Sequence, residues 1–172
     1  MDQRLQLIED GSLRVDQSLP GQRELAVAQL GVGTAPFGSV ATEDSDAAVG
    51  AAFTGLYEAG LRYFDTAPFY GLGLAEHRLG AYLRTVDRRS AVVSTKVGRL
   101  LRPVAGGAAR GPSGGASAFE VEFDYSYGGA MRSLEHSLQR LGTNAVDIVL
   151  IHDVNRRWQG ELVEQRYAQA KF

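Results

Sequence analysis

Four residues of this chain could share one piece of chemistry. Asp65 and Tyr70 lie in "YFDTAPFYG" (63–71), Lys96 near the end of "AVVSTKV" (91–97), and His152 at the end of "VDIVLIH" (146–152). A phenol is a poor acid at neutral pH, but a neighbouring ammonium stabilises the phenolate. A Tyr beside a Lys can therefore give a proton to a developing alkoxide or take one from an alcohol. A carboxylate beside that Lys holds it charged and oriented. A neutral imidazole can donate a hydrogen bond to a substrate oxygen and fix a carbonyl where a hydride donor reaches it. The set suits carbonyl reduction or alcohol oxidation.

Each residue taken singly also has a plainer use. Asp65 can cap a turn at a strand end, and Tyr70 can be a turn aromatic. Lys96 resists such a reading, because a Lys closing an apolar strand is costly without a partner, and His152 follows its apolar strand in the same way. His77 and His136 lie in helical stretches and read as solvated or packed. Glu76 and Arg78 read as helix-surface or ion-pair residues.

The elements that must position the four alternate between strand and helix. Two apolar runs around Leu19-Pro20-Gly21 suggest a hairpin that leads into a first strand at Ala28 to Gly33. Val49, Phe53 and Leu56 lie on one helical face, with Gly60 as a stop, and a second strand follows at Leu61 to Asp65. A helix over Leu74 to Arg84 buries Leu79 and Leu83, and residues 91–97 supply the third strand. Residues 98–124 are rich in Gly and Ala and read as one long mobile loop, with Phe119, Phe123 or Tyr125 as substrate contacts. Met131, Leu134, Leu138 and Leu141 then mark a helix from Ser126 to Gly142. A fourth strand ends at His152, and the final residues open another helix.

Near-continuous apolar strands separated by amphipathic helices call for parallel strands covered by helices. Asp65, Lys96 and His152 each sit at the carboxyl end of a different strand, where β/α barrels and the crevices of open sheets both build sites. Two stretches, "GVGTAPFG" and "GLGLAEHRLG", begin like a dinucleotide fingerprint. Both lack its third glycine, with Pro36 and Glu76 in that place.

The 172 residues fit one domain, 1–172. A net charge of −2 with scattered Lys and Arg offers nucleic acid no basic stripe. The absence of cysteine removes thiolate chemistry and suits a reducing compartment, so the cytoplasm is the expected location. No apolar run has the length of a membrane span, and no metal site is expected.

"RYFDTAPFYG", "GLAEHRLG", "VVSTKVGR" and "VDIVLIHD", in this order, are similar to signature stretches of the aldo-keto reductase superfamily. The resemblance runs from about Gly31 to Asp153. It implies a parallel (β/α)8 barrel of TIM type, with the first four β/α units present, and hydride transfer with NADP or NAD without a Rossmann domain. It implies Tyr70 as general acid or base, Asp65 and Lys96 as its tuners and His152 as substrate orienter, with Gly33, Thr34, Ala35 and Asp65 at the cofactor. The substrate class is a small carbonyl compound or sugar. "LIHDVNRRW" and the glycine-rich stretch after "KVGRLLRP" resemble the branch that oxidises sugars at the anomeric carbon or oxidises pyridoxal.

Members of that family are about twice as long, so the expectation is a truncated barrel. Its interior layer would include Val32, Phe64, Val93 and Val149, and its open side could self-associate. Two functions stay open: an oxidoreductase, or a non-catalytic fragment or binding module unable to hold cofactor.

Overall fold

A computed structural model describes residues 5–7, 12–15, 25–38, 46–105, 109–110 and 116–171. Strands β1 (Leu5–Leu7), β2 (Ser12–Val15) and β3 (Leu25–Ala28) form an antiparallel sheet. The expected hairpin is therefore β2–β3, while its Leu-Pro-Gly turn lies outside the described residues. Ala28 ends this sheet and does not begin the next, so the first parallel strand, β4, is only Gly31–Gly33.

The parallel sheet runs in the order β4, β5 (Tyr63–Asp65), β6 (Val92–Val97) and β11 (Ile148–Ile151). Its neighbours are successive β/α units, and its registers pair Gly33 with Asp65, Asp65 with Ser94, and Leu150 with Lys96. Helices α1 (Asp46–Glu58), α2 (Leu74–Leu83) and α3 (Tyr127–Leu141) connect these strands. Ser126 caps α3 by accepting from the Gly129 N–H, and Gly142 ends it in the left-handed conformation. This is the architecture of the first four units of an α/β barrel.

The core lies between the sheet and its helices. Phe53 of α1, Phe64 of β5 and Tyr82 of α2 bring their rings within 5.4–6.3 Å of one another, and Val32, Val93, Leu79, Leu83 and Leu141 complete the cluster. This corrects the expected interior layer. Val32, Phe64 and Val93 face the helices, as do the alternate residues of each strand, and the opposite face carries Tyr63, Asp65, Ser94 and Lys96. A shift of one residue in a strand exchanges its faces, and an apolar run gives no alternation from which to choose. Val149 is not in the core at all: Val149, Leu150 and Ile151 are 44%, 41% and 45% exposed.

The stripe of α3 also differs from expectation. Gly129, Ala130, Ser133, Ser137 and Leu141 are buried, Leu134 and Leu138 are half-buried, and Met131 is exposed. Small residues let α3 approach closely; Gly80 of α2 sits against the Leu141 backbone, where a Cβ would have no room.

Residues 98–124 hold a hairpin where composition had suggested an unstructured loop. Strand β7 (Arg99–Pro103) pairs antiparallel with β10 (Phe119–Phe123) over five positions, and β8 (Ala109–Arg110) pairs with β9 (Ala116–Ser117). The Gly and Ala bias is confined to the middle of this segment. Its flanks, "RLLRP" and "FEVEF", carry the branched and aromatic residues that fit a pleated surface. After β11 the chain forms α4 (Arg156–Gln159) and, beyond a single 3-10 turn, α5 (Val163–Gln169).

Candidate active site

Asp65 ends β5 and points to the face away from the helices. Its Oδ2 accepts a hydrogen bond from Lys96 Nζ at 2.6 Å, and its Oδ1 accepts from Ser94 Oγ at 2.6 Å. The pairing register makes these contacts available, because Ser94 lies opposite Asp65 and Lys96 is two residues further along the same face. Tyr63 OH sits 3.1 Å from Ser94 Oγ, whose own proton is committed to Asp65, so the phenol donates. Lys96 also donates to the Thr66 carbonyl at 3.0 Å. The ammonium is thus held by a carboxylate and a backbone oxygen, with its side chain 13% exposed.

Tyr70 reaches this ammonium from the loop between β5 and α2. Lys96 Nζ lies 4.8 Å from the centroid of the Tyr70 ring. Two features fix that loop. Tyr70 N–H donates to the Ala67 carbonyl at 3.1 Å, and the backbone at Gly38 crosses it so closely that a Cβ on Gly38 would lie 2.5 Å from the Tyr70 carbonyl carbon. Residues Gly71, Leu72 and Gly73 then all take positive φ, 63°, 50° and 96°, which turns the chain into α2. The first two glycines of "GLGLAEHRLG", Gly71 and Gly73, therefore serve a left-handed turn.

His152 follows β11 and is 3% exposed. Its ring meets those of Tyr70 and Phe69 edge-on, each at 5.9 Å between centroids. Burial, and then the Arg99 cation, push its imidazole down to about 4, well below the ordinary value, so it is neutral near pH 7. Its Nε2 lies 3.5 Å from Asp153 Oδ2, and its Nδ1 is buried without a hydrogen-bond partner. The backbone carbonyl of His152 accepts from Tyr125 OH at 2.7 Å, and Gln159 Nε2 donates to that hydroxyl at 3.1 Å. Tyr125, expected as a substrate contact, is 1% exposed and instead anchors the His152 backbone.

Asp65, Tyr70, Lys96 and His152 thus converge on one end of the parallel sheet. Gly33, Thr34 and Ala35 lie at the same end: the Thr34 N–H donates to the Asp65 carbonyl at 2.9 Å. Gly33 and Ala35 are exposed, while Thr34 is fully buried with its hydroxyl unpartnered. Glu76 is likewise fully buried and not on the surface. It accepts from Thr95 Oγ1 at 2.7 Å and from Arg140 Nε at 2.6 Å. Arg78 pairs with Asp46 at 2.8 Å. Among the described residues no group of three acidic, His or Cys side chains could hold a metal, and no helix is long and apolar enough to cross a membrane.

Sequence reasoning overlooked Ser94 and Arg99. Ser94 had a signal, since position i−2 from Lys96 must share its face in a strand. Arg99 had none, because residue type places arginine on the surface. It is fully buried, and its Nη2 donates to Asp153 Oδ2 at 2.8 Å.

The sequence over residues 29–169 matches the model of the aldo/keto reductase family. The chain is 42% identical over 147 residues to pyridoxal 4-dehydrogenase of Microbacterium luteolum, an alignment covering 79% of this chain and 42% of that protein. It is 43% identical over 140 residues to D-threo-aldose 1-dehydrogenase of a Pseudomonas species, covering 77% and 42% respectively. The chain thus spans about two-fifths of the length of these relatives. The structure of an aldo-keto reductase from Klebsiella pneumoniae in complex with NADPH superposes with a TM-score of 0.53 at 26% identity, over 86% of this chain and 44% of that one. With a family match over most of its length, and parallel strands whose ends gather Asp65, Tyr70, Lys96 and His152, this chain belongs to the aldo/keto reductase family.

Proposed function

We propose that this chain carries the proton-transfer half of an oxidoreductase site that interconverts a carbonyl and an alcohol. The observation that supports this most is a chain of three contacts through four groups: Asp65 on Lys96 at 2.6 Å, Lys96 over the Tyr70 ring, and the neutral His152 ring edge-on to Tyr70. In reduction the Tyr70 phenol gives its proton to the substrate oxygen as negative charge develops there; in oxidation the phenolate takes it. The Lys96 ammonium, held by Asp65 and Thr66 over the Tyr70 ring, keeps a positive charge in place as negative charge develops on the substrate oxygen, at no cost in reorganisation. A neutral His152 can donate one N–H to the same oxygen and so orient it.

The partner in such a reaction is NAD or NADP, which supplies or accepts the hydride when bound. The residues fit it at one place: a Cβ on Gly33 would meet nothing within 4 Å, so open space lies over the ends of β4 and β5 beside Asp65. Gly33 and Ala35 would border the cofactor there, while Thr34, fully buried between them, would not touch it. Asp65 serves better as the Lys96 partner, because both its oxygens are already taken by Lys96 and Ser94.

For substrate, the similarity to pyridoxal and aldose dehydrogenases favours a sugar oxidised at its anomeric carbon, or pyridoxal. Turnover assays with aldoses and pyridoxal, each with NAD and with NADP, test the reading. Substrate-dependent cofactor reduction that vanishes in Tyr70→Phe supports it. Reduction that survives this substitution assigns the proton transfer elsewhere, and no reduction with any pairing favours the non-catalytic module.

A further inference from the structure

Arg99 takes no part in that chemistry, yet among the described residues it has the largest side chain buried completely. It opens β7 directly after Gly98, and its guanidinium lies 4.5 Å from the Phe69 ring, 4.7 Å from the Trp158 ring and 5.6 Å from the Phe123 ring. One edge pairs with Asp153 at 2.8 Å. Nε and Nη1 are buried with no hydrogen-bond partner.

Packing alone does not account for this arrangement. Each unpaired buried N–H costs on the order of 1–3 kcal/mol, and an unbranched apolar side chain would fill the same slot without that cost. Direct contact with substrate does not account for it either, because the side chain is 0% exposed. Arg99 touches instead the two loops that carry Tyr70 and His152. Phe69 precedes Tyr70, Asp153 follows His152, and Phe69 itself meets both the His152 and Trp158 rings. Asp153 adopts a φ of 46°, uncommon for a residue other than glycine, and its carboxylate reaches Arg99 from there.

We propose that Arg99 is a positioning residue for His152: packed over the edge-on pair of Phe69 and Trp158 rings and paired with Asp153, it locks the loop after β5 to the loop after β11 and keeps the imidazole against the Tyr70 ring. Its relevance to turnover rests on the carbonyl–alcohol reading above; the contacts do not. The charged and titratable groups facing the imidazole are Arg99 from β7, Asp153 from its own loop, Lys96 from β6, Asp65 from β5 and Tyr70 from the loop after β5. Arg99 and Lys96 disfavour a second proton on the ring, while Asp153 and Asp65 favour one. Removing Arg99 therefore frees the loop and also leaves the Asp153 charge uncompensated beside the ring.

The test is proton resonance titration of His152 in the whole chain, together with nuclear Overhauser contacts between the His152 and Tyr70 rings. In Arg99→Met the His152 inflection is expected to rise by about one unit or more, with weakened ring contacts. In Arg99→Lys, which keeps the charge but lacks the planar fork, the inflection stays low while the ring contacts weaken. An Arg99→Met protein whose inflection and ring contacts match the unsubstituted chain overturns the proposal. Should that variant not fold, Arg99→Lys decides, and unaltered ring contacts overturn it. Neither measurement involves turnover, so loss of the oxidoreductase reading leaves the outcome intact.

Discussion

The Lys96 ammonium lies 4.8 Å from the centre of the Tyr70 ring, on a strand whose register with β5 also brings Asp65 to 2.6 Å. Lys96 therefore acts on the phenol as a fixed, oriented charge. In any context that sustains turnover, Tyr70→Phe is expected to lower kcat by about 10²–10⁴-fold while cofactor affinity stays within about twofold, since the phenol is used only as charge develops on the substrate oxygen. Steady-state kinetics with a nicotinamide fluorescence titration measure both. A comparable loss of cofactor affinity would place Tyr70 in binding.

Neutral, buried His152 couples stability to pH. Its imidazole protonates at about 4 when folded and at about 6.5 when unfolded, so between these values the unfolded chain holds a proton that the folded chain lacks. Stability from this group is full above about pH 6.5 and is lost as pH falls toward 4. The ceiling is roughly 3 kcal/mol. Urea unfolding at pH 7 and 4.5 should show this decline, and His152→Gln should flatten it. An equal decline in the variant would assign the acid sensitivity to the carboxylates.

How much of this could be read beforehand varied with the kind of information required. Asp65, Lys96 and His152 stood out as candidates because each lies at the carboxyl end of an apolar run, where a charge must face a polar partner or a site, and Tyr70 because it follows Asp65 in the adjoining loop. The faces of β4, β5 and β6 were not, since "VVST" and "RYF" give no clean alternation. The hairpin of β7 and β10 was hidden by the averaged composition of residues 98–124, whose flanks alone carry strand character. Arg99 was invisible because its burial depends on three aromatic rings from separate parts of the chain, Phe69 in the loop after β5, Phe123 in β10 and Trp158 in α4.

The turn after Tyr70 should tolerate no side chain at Gly71. Its φ is 63°, and a Cβ there would overlap the Gly38 carbonyl, which is backbone and cannot step aside. Gly71→Ala is expected to cost at least about 2 kcal/mol and to disturb the Tyr70 ring position. Chemical denaturation and the Tyr70 ring resonances check both effects; a loss below about 0.5 kcal/mol, within the usual range for surface changes, would show that the two loops can separate.

Glu76 is the buried counterpart of the site's exposed chemistry. It lies on α2 with 0% exposure, takes Thr95 Oγ1 at 2.7 Å from the helix-facing side of β6, and takes Arg140 Nε at 2.6 Å from α3. One carboxylate thus ties two helices to the residue that precedes Lys96. Arg140 is 14% exposed and has a second contact in Ser137 Oγ at 3.1 Å, so it can turn toward solvent if the carboxylate is removed. Glu76 has no such escape. Arg140→Met, which strands the carboxylate with a single hydroxyl, should cost about 3–5 kcal/mol, whereas Glu76→Gln keeps the Thr95 hydrogen bond and should cost about 1–2 kcal/mol. In the double variant the cost should be well below the sum, because the stranded charge no longer exists. Urea unfolding of the three proteins at pH 7 closes the cycle. Additive costs would mean that Arg140 and Glu76 act separately and that the link to Lys96 lies elsewhere.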